Sequence, residues 1–261
     1  MSLWFLGTIG FSYKDWVGSF YPIGTAQRGY LSYYSKVFNS VELDTTFHSI
    51  PQVKTVQTWS TTTPTEFMFC LKTPRTITHD LGLKGAHGLM NEFIESLLPL
   101  QRKTGPILIQ LPPSYSQENI SVLDEFLEIL PLSHNYAIEF RHPSWYNQKT
   151  TKLLTHYRVA WVSLDYPNLP KQINLTADFL YLRWIGINGM YHHHTHERVD
   201  KTNQLRVWIH TLNPYLEQIK AVYGYFNNDY AGFAAGTCKR FMQLTGMNNI
   251  EHNMPYQERL F

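Results

Sequence analysis

Short strand-like runs alternate with longer helix-like segments along this whole sequence, and few folds accommodate that order. Runs rich in Val, Ile, Leu and aromatic residues predict strands at 3–9, 40–46, 66–72, 106–111, 136–141, 159–165, 178–185 and 222–227. Helical spacing predicts helices at 30–38, 53–61, 89–101, 120–130, 147–157, 201–221 and 232–244. The stretch 166–177, which carries Pro167 and Pro170, has room for a short helix at most. Strand, helix and strand in series give parallel strands joined by right-handed crossovers. Closing such a sheet on itself removes its exposed edges. No G-x-G-x-x-G follows the first strand to favour an open dinucleotide-binding sheet. The expectation is a single α/β domain over residues 1–261, folded as a (β/α)8 TIM barrel, a fold that typically takes about 250 residues.

Composition agrees and removes several classes. Hydrophobic residues make up 43% of the 261 and charged residues 16%, enough to bury a sizeable core. A net charge of +2 leaves no general footprint for gripping a long duplex. Cys70 and Cys238 are too few and too far apart for a disulfide framework, and neither lies in a C-x-x-C motif. No apolar stretch approaches the roughly 18 residues that a membrane span needs. The first residues lack the basic and small-residue features of a signal peptide. These features predict a cytoplasmic monomer with no membrane partner.

Alternation decides which side chains face the axis of such a barrel. In the second strand Val41, Leu43 and Thr45 share one face, and Glu42, Asp44 and Thr46 the other. A carboxylate pressed under a helix layer is a costly unpaired charge, so Glu42 and Asp44 are expected inward. The fifth strand repeats the pattern, with Ala137, Glu139 and Arg141 opposite Tyr136, Ile138 and Phe140. Lys72 continues the row of Met68 and Cys70. Taking the polar residue of each remaining strand end as inward adds Thr8, Gln110, Ser163, Asp165, Arg183 and Asn227. Barrels of this kind carry their catalytic groups at that end. These charges could merely neutralise one another, but a buried ion network gains little over an apolar core. A ligand pocket is the better reading.

The residue types suggest what the pocket could do. Lys72, Arg75, Arg141 and Arg183 can converge on phosphate or carboxylate, which guanidinium forks grip in a plane. Glu42, Glu139 and Asp165 are the candidate catalytic groups, since carboxylates in different surroundings divide into acid and base. Tyr13, Trp16 and Trp145, with Phe11, Phe47 and Tyr146, form an aromatic rim able to stack on a sugar or base. Thr8, Asp44, Gln110, His142 and Asn227 complete the expected substrate contacts. His48, His79 and His142 with Glu139 and Asp165 have metal-binding chemistry but loose spacing, so no metal is assigned. The run Tyr191-His192-His193-His194-Thr195-His196 reads as a solvated loop. No phosphate loop, serine elbow or H-E-x-x-H motif names a cofactor or a reaction.

Several stretches carry a family likeness. They are Gly10-Phe11-Ser12-Tyr13-Lys14-Asp15-Trp16, Phe20-Tyr21-Pro22 and Val41-Glu42-Leu43-Asp44-Thr45-Thr46-Phe47. Further along stand Phe69-Cys70-Leu71-Lys72-Thr73-Pro74-Arg75 with Thr78-His79, and Gln110-Leu111-Pro112-Pro113. The second half adds Glu139-Phe140-Arg141-His142 with Trp145, Tyr181-Leu182-Arg183 and Tyr225-Phe226-Asn227-Asn228. In these motifs the chain resembles the YecE-like family, a domain of unknown function. The resemblance implies a TIM-type barrel and no particular reaction. A distant likeness of that fold to endonuclease IV and xylose isomerase is an analogy of architecture alone. After Asn228 the family pattern has a His and a Pro, where this chain has Phe233 and Ala234.

The leading expectation is an enzyme, hydrolase or isomerase, acting on a small anionic, phosphate- or sugar-like substrate. The competing one is a nucleic-acid-binding module, with or without metal-dependent phosphodiester chemistry. That alternative requires a basic stripe running beyond the pocket through Lys14, Arg75 and Lys84.

Overall fold

The computed structural model describes residues 2–247. Its strands are β1 (Leu3–Thr8), β2 (Ser40–Leu43), β3 (Met68–Leu71), β4 (Ile107–Gln110), β5 (Tyr136–Glu139), β6 (Ala160–Trp161), β7 (Ser163–Asp165), β8 (Phe179–Trp184) and β9 (Ala221–Phe226). Every strand pairing is parallel. One sheet has the order β1-β9-β8-β7, a second pairs β2 with β3, and a third runs β4-β5-β6. Isolated bridges from Ile9 to Glu42 and from Lys72 to Leu108 link neighbouring sheets. All eight expected strands are present. The sixth is interrupted at Val162, where β6 stays with β5 and β7 moves across to β8. Gly7 permits the close approach of the first two strands: a Cβ there would sit 1.9 Å from the Ser40 carbonyl oxygen.

The helices are α1 (Tyr30–Tyr34), α2 (Val53–Thr62), α3 (His87–Ser96), α4 (Ile120–Glu128), α5 (Gln148–Tyr157), α6 (Thr202–Leu212), α7 (Asn228–Ala231) and α8 (Ala234–Leu244). The helix expected over 89–101 stops early, because Pro99 has no N–H to continue the ladder, and residues Leu98–Lys103 form two short 3-10 turns separated by a kink at Gln101. Segment 166–177 contains no helix. Among the described residues no helix is long and apolar enough to cross a membrane.

Two apolar layers follow from strand alternation. Leu6, Val41, Leu43, Phe69, Leu71, Ile107, Ile109, Ile138, Phe140, Leu180 and Leu182 meet the helices. Ile9, Cys70, Leu108, Ala137, Ala160, Val162, Leu164, Phe179, Tyr181, Tyr223 and Tyr225 cluster on the other, inner side of the strands. Burying one such large side chain contributes about 1.5–3 kcal/mol.

The same alternation corrects three expected placements. Thr8 shares the face of Trp4 and Leu6, and its Oγ1 bonds the Tyr34 hydroxyl of α1 at 2.9 Å and the Gly10 carbonyl at 2.6 Å. Ser163 and Asp165 flank the inward Leu164 and therefore point outward. Asp165 accepts from Trp208 Nε1 on α6 and the Tyr230 hydroxyl on α7, each at 2.9 Å, and pairs with Lys171 at 2.5 Å. A carboxylate under the helix layer is tolerated here because three donors wait for it there.

Candidate anion site

Five of the expected residues do converge at the C-terminal ends of the strands: Glu42, Lys72, Glu139, Arg141 and Arg183. Alternation delivers them. Glu42 shares the inward row of β2, Glu139 and Arg141 continue Ala137 on β5, Lys72 follows Cys70, and Arg183 follows Tyr181.

Arg183 is the hub. Its Nη2 donates to Glu42 Oε1 at 2.7 Å and its Nη1 donates to Glu139 Oε2. The Tyr181 hydroxyl donates to Glu42 Oε2 at 2.8 Å, and Arg141 Nε donates to Glu139 Oε1. Both carboxylates are wholly buried, and no oxygen of either is left without a donor.

The two acids respond in opposite directions. Burial raises the Glu42 carboxyl above its ordinary range, because one guanidinium and one phenol do not offset the lost solvent and Glu139 repels it. Burial would raise Glu139 too, but the charges of Arg141, Arg183 and Lys72 outweigh it and hold the group down at about 2. Glu139 is thus a fixed anion, and Glu42 is the more readily protonated of the pair.

The cations are not matched in the same way. Arg183 Nε is buried with no hydrogen-bond partner among the described residues. Arg141, 12% exposed, lies 4.1 Å above the Tyr166 ring, and only its Nε has an acceptor among the described residues. Lys72 Nζ has neither a carboxylate within 4.0 Å nor a hydrogen-bond acceptor among the described residues. It rests 3.9 Å above the Phe47 ring. Burial and the charges of Arg183 and Arg141 lower its amine to about 8, against the opposing pull of Glu139 and Glu42. His79 stands edge-on to the same Phe47 ring at 5.0 Å, and burial with Lys72 and Arg75 keeps it below its ordinary range.

Other expected residues are engaged elsewhere. Trp16 is fully buried among Tyr13, Phe20, Tyr21 and Phe233. Trp145 is fully buried between Tyr115 and Phe140, with Nε1 donating to the Tyr115 carbonyl at 2.6 Å. Neither ring has a face left for a ligand, so stacking on these two is corrected to loop packing. Arg75 is exposed and paired with Asp80 at 3.2 Å. Gln110 donates to the Leu111 carbonyl at 2.9 Å. Asn227 caps α7 through the Asp229 N–H at 2.9 Å, and His142 Nδ1 accepts from the Ser144 N–H at 3.2 Å. Tyr13, half-buried, donates its hydroxyl to the Ile9 carbonyl at 2.6 Å; the nearby charges of Asp44 and Glu42 add to the burial that raises its phenol. Asp44 is half-buried at the start of the turn Thr45–Phe47.

Two participants were not singled out from the sequence. Tyr181 was legible, standing two positions before Arg183 on the inward row. Tyr166 was not, because a loop ring after β7 carries no periodic signal. Among the described residues no three His, Cys, Asp or Glu side chains group so as to hold a metal ion. A cleft of about 760 Å³ opens at the opposite ends of the strands, beside Tyr136, Val159 and Asp178, away from these charges.

Comparison with known proteins adds a family and no activity. The family model described as "Protein of unknown function DUF72" matches residues 5–259. The chain is 30% identical to UPF0759 protein YecE of Escherichia coli strain K12 over 211 residues, covering 71% of this chain and 77% of that protein. It is 26% identical to UPF0759 protein YunF of Bacillus subtilis, over 92% of this chain and 94% of that one. A DUF72 family crystal structure from Thermotoga maritima superposes with a TM-score of 0.80 at 29% identity, covering 94% of this chain and 99% of that one. One from Enterococcus faecalis gives 0.75 at 21% identity, covering 94% and 98%, a likeness of fold alone. The mixed α/β architecture with parallel sheets is therefore shared, and the chain belongs to the DUF72 family, the YecE-like group its own motifs resemble.

Proposed function

We propose that this chain binds and acts on a small anionic, phosphate- or sugar-phosphate-like substrate at the C-terminal ends of its strands. One observation carries the reading: every oxygen of Glu42 and Glu139 already has a donor, while Lys72 Nζ, the two Arg141 Nη groups and Arg183 Nε have no acceptor among the described residues. Donors held over aromatic rings, with their carboxylate partners already satisfied, are arranged to receive oxygens from outside. In this reading Glu42 and Glu139 position the guanidiniums and do not themselves touch substrate. Asp165 is then an anchor for α6 and α7.

The proposal includes closure of the strands into a (β/α)8 barrel. The bridges Ile9–Glu42 and Lys72–Leu108 support it, since they join β1 to β2 and β3 to β4, and β6 runs through Val162 directly into β7, the last strand of the sheet that contains β1. The same reading takes the chain as one domain, a cytoplasmic monomer, whose buried thiols Cys70 and Cys238 stay reduced.

Titration calorimetry of the whole chain with inorganic phosphate and with glycerol 3-phosphate tests the site. We expect saturable binding that weakens about tenfold in Arg141→Met, as loss of a charge-assisted contact predicts. Absence of binding, or equal binding by the variant, sinks the anion reading. Tight uptake of an oligonucleotide with steep salt dependence, against weak phosphate binding, would replace it with the nucleic-acid alternative.

A further inference from the structure

Resting on that reading of the site, we propose that the Lys72 amine forms an imine with an anionic carbonyl compound whose phosphate or carboxylate lies against Arg141 and Arg183. An amine that only anchored an anion would do best as a permanent ammonium. Lys72 is placed otherwise. It leaves the end of β3 on the inward row, half-buried, with its Nζ 3.9 Å above the Phe47 ring. No carboxylate oxygen lies within 4.0 Å of it among the described residues, because Arg183, Arg141 and Tyr181 already occupy those of Glu42 and Glu139.

The groups acting on Lys72 are Arg183, Arg141, Glu139 and Glu42, with His79 edge-on to the ring beneath it. Two guanidiniums disfavour a third positive charge. The ring face attracts the ammonium and offsets part of that. Desolvation and repulsion prevail, leaving the amine neutral over an unusually low pH range, about 8 and above. A neutral, desolvated lysine is the form that attacks carbonyl carbon.

The step balances without a co-reactant. The nitrogen lone pair attacks the carbonyl carbon to give a carbinolamine. Loss of one water, taking the carbonyl oxygen and the two amine protons, leaves the C=N bond. No electrons change hands. If the nitrogen keeps a proton, the resulting iminium carries the same charge as the ammonium it replaced. The anionic group of the substrate meets Arg141 and Arg183 and places its carbonyl toward Lys72, which raises the effective concentration at the amine.

Borohydride trapping on the full chain tests this. Protein is incubated with glycolaldehyde phosphate, or separately with pyruvate, then reduced with sodium borohydride and mapped by peptide mass spectrometry. The expected adduct sits on Lys72, at least tenfold above exposed lysines such as Lys149, and inorganic phosphate suppresses it. Its yield should rise from pH 6 with a midpoint near pH 8 and level off about one unit above it, whereas surface lysines keep gaining reactivity beyond pH 10. Lys72→Arg keeps the positive charge and removes the nucleophile, so its adduct should vanish.

Adducts spread evenly over surface lysines, or a pH profile on Lys72 matching theirs, overturn the imine. The calorimetric titration above is read in the same buffer. Phosphate binding without a Lys72 adduct removes the imine and leaves the anion site standing; loss of both removes the site as well.

Discussion

Near the starts of β1, β8 and β9 the inward side chains include packed rings, and near the ends of β2, β3, β5 and β8 they include a cluster of ions. At the starts Phe5 and Tyr223 stack with centroids 4.9 Å apart, and Phe179 meets Tyr223 edge-on at 5.7 Å. At the ends Arg183 joins two carboxylates, with Arg141 and Lys72 beside them. The first half gains stability from area removed from water. The second half opposes folding by desolvation, several kcal/mol per ion, and recovers it only through pairing. Two solutions to filling one interior teach that stability alone did not select the ionic half. An apolar filling was available and is used two residues earlier on the same rows, at Cys70 before Lys72 and at Ala137 before Glu139.

The largest expected effect breaks that comparison directly. Arg183→Met leaves Glu42 and Glu139 buried with much of their pairing gone, and about 3–5 kcal/mol of stability should be lost. In a chain of this size that lowers the melting temperature by roughly 10 °C. Glu42→Leu, Glu139→Leu and Arg183→Met combined should recover most of the loss in urea melts while abolishing phosphate binding. A triple variant as unstable as the single one would mean that the ions are structurally required, and the contrast between halves would fail.

Acid titration gives the next largest effect. Glu139 is held at about 2 against an ordinary 4.5, so its folded state favours the anion. That contribution is complete above the ordinary value and is lost as pH falls toward 2, about 3 kcal/mol in all. Glu42 works the other way: its raised carboxyl contributes stability below the ordinary value, which disappears as pH rises through the raised one. Glu139→Gln should therefore flatten the acid limb of the stability curve, and Glu42→Gln should not. Equal flattening by both would show that the two carboxylates are not separated as the geometry requires.

Much of this was legible in the sequence, and the failures share one cause. Eight strands were readable because Val, Ile and aromatic runs bounded by turns have few other uses. Glu42, Glu139, Arg141, Lys72 and Arg183 share a row with Cys70, Ala137 and Tyr181 by period-two alternation, which the sequence alone displays. Thr8 and Asp165 failed because polarity was taken as proof of facing inward. Alternation read from apolar neighbours places both outward, since Leu6 and Leu164 fix the rows. Sequence could not reveal that Tyr34, Trp208 and Tyr230 hold donors or acceptors ready beneath the helices. Trp16 and Trp145 failed for a related reason: a ring at a strand end can line a mouth or seal the loop beside it, and only packing decides.

The smallest effect sharpens the comparison, because it sets two strand-end polar residues against each other across the sheet. Thr8→Val keeps the shape and removes an hydroxyl that bonds Gly10 and Tyr34. The Tyr34 hydroxyl still accepts from the Thr8 N–H at 2.8 Å and donates to Ser40 at 3.1 Å, so the loss should be only about 1 kcal/mol. Phosphate affinity should be unchanged. Lys72→Met, on the inward row, should do the reverse: stability steady or slightly higher, because a desolvated amine without a carboxylate is removed, and phosphate affinity down about tenfold. Urea melts and calorimetry on the two variants separate inward from outward function. If Thr8→Val weakened phosphate binding as much as Lys72→Met, strand alternation would not be what divides the site from its scaffold.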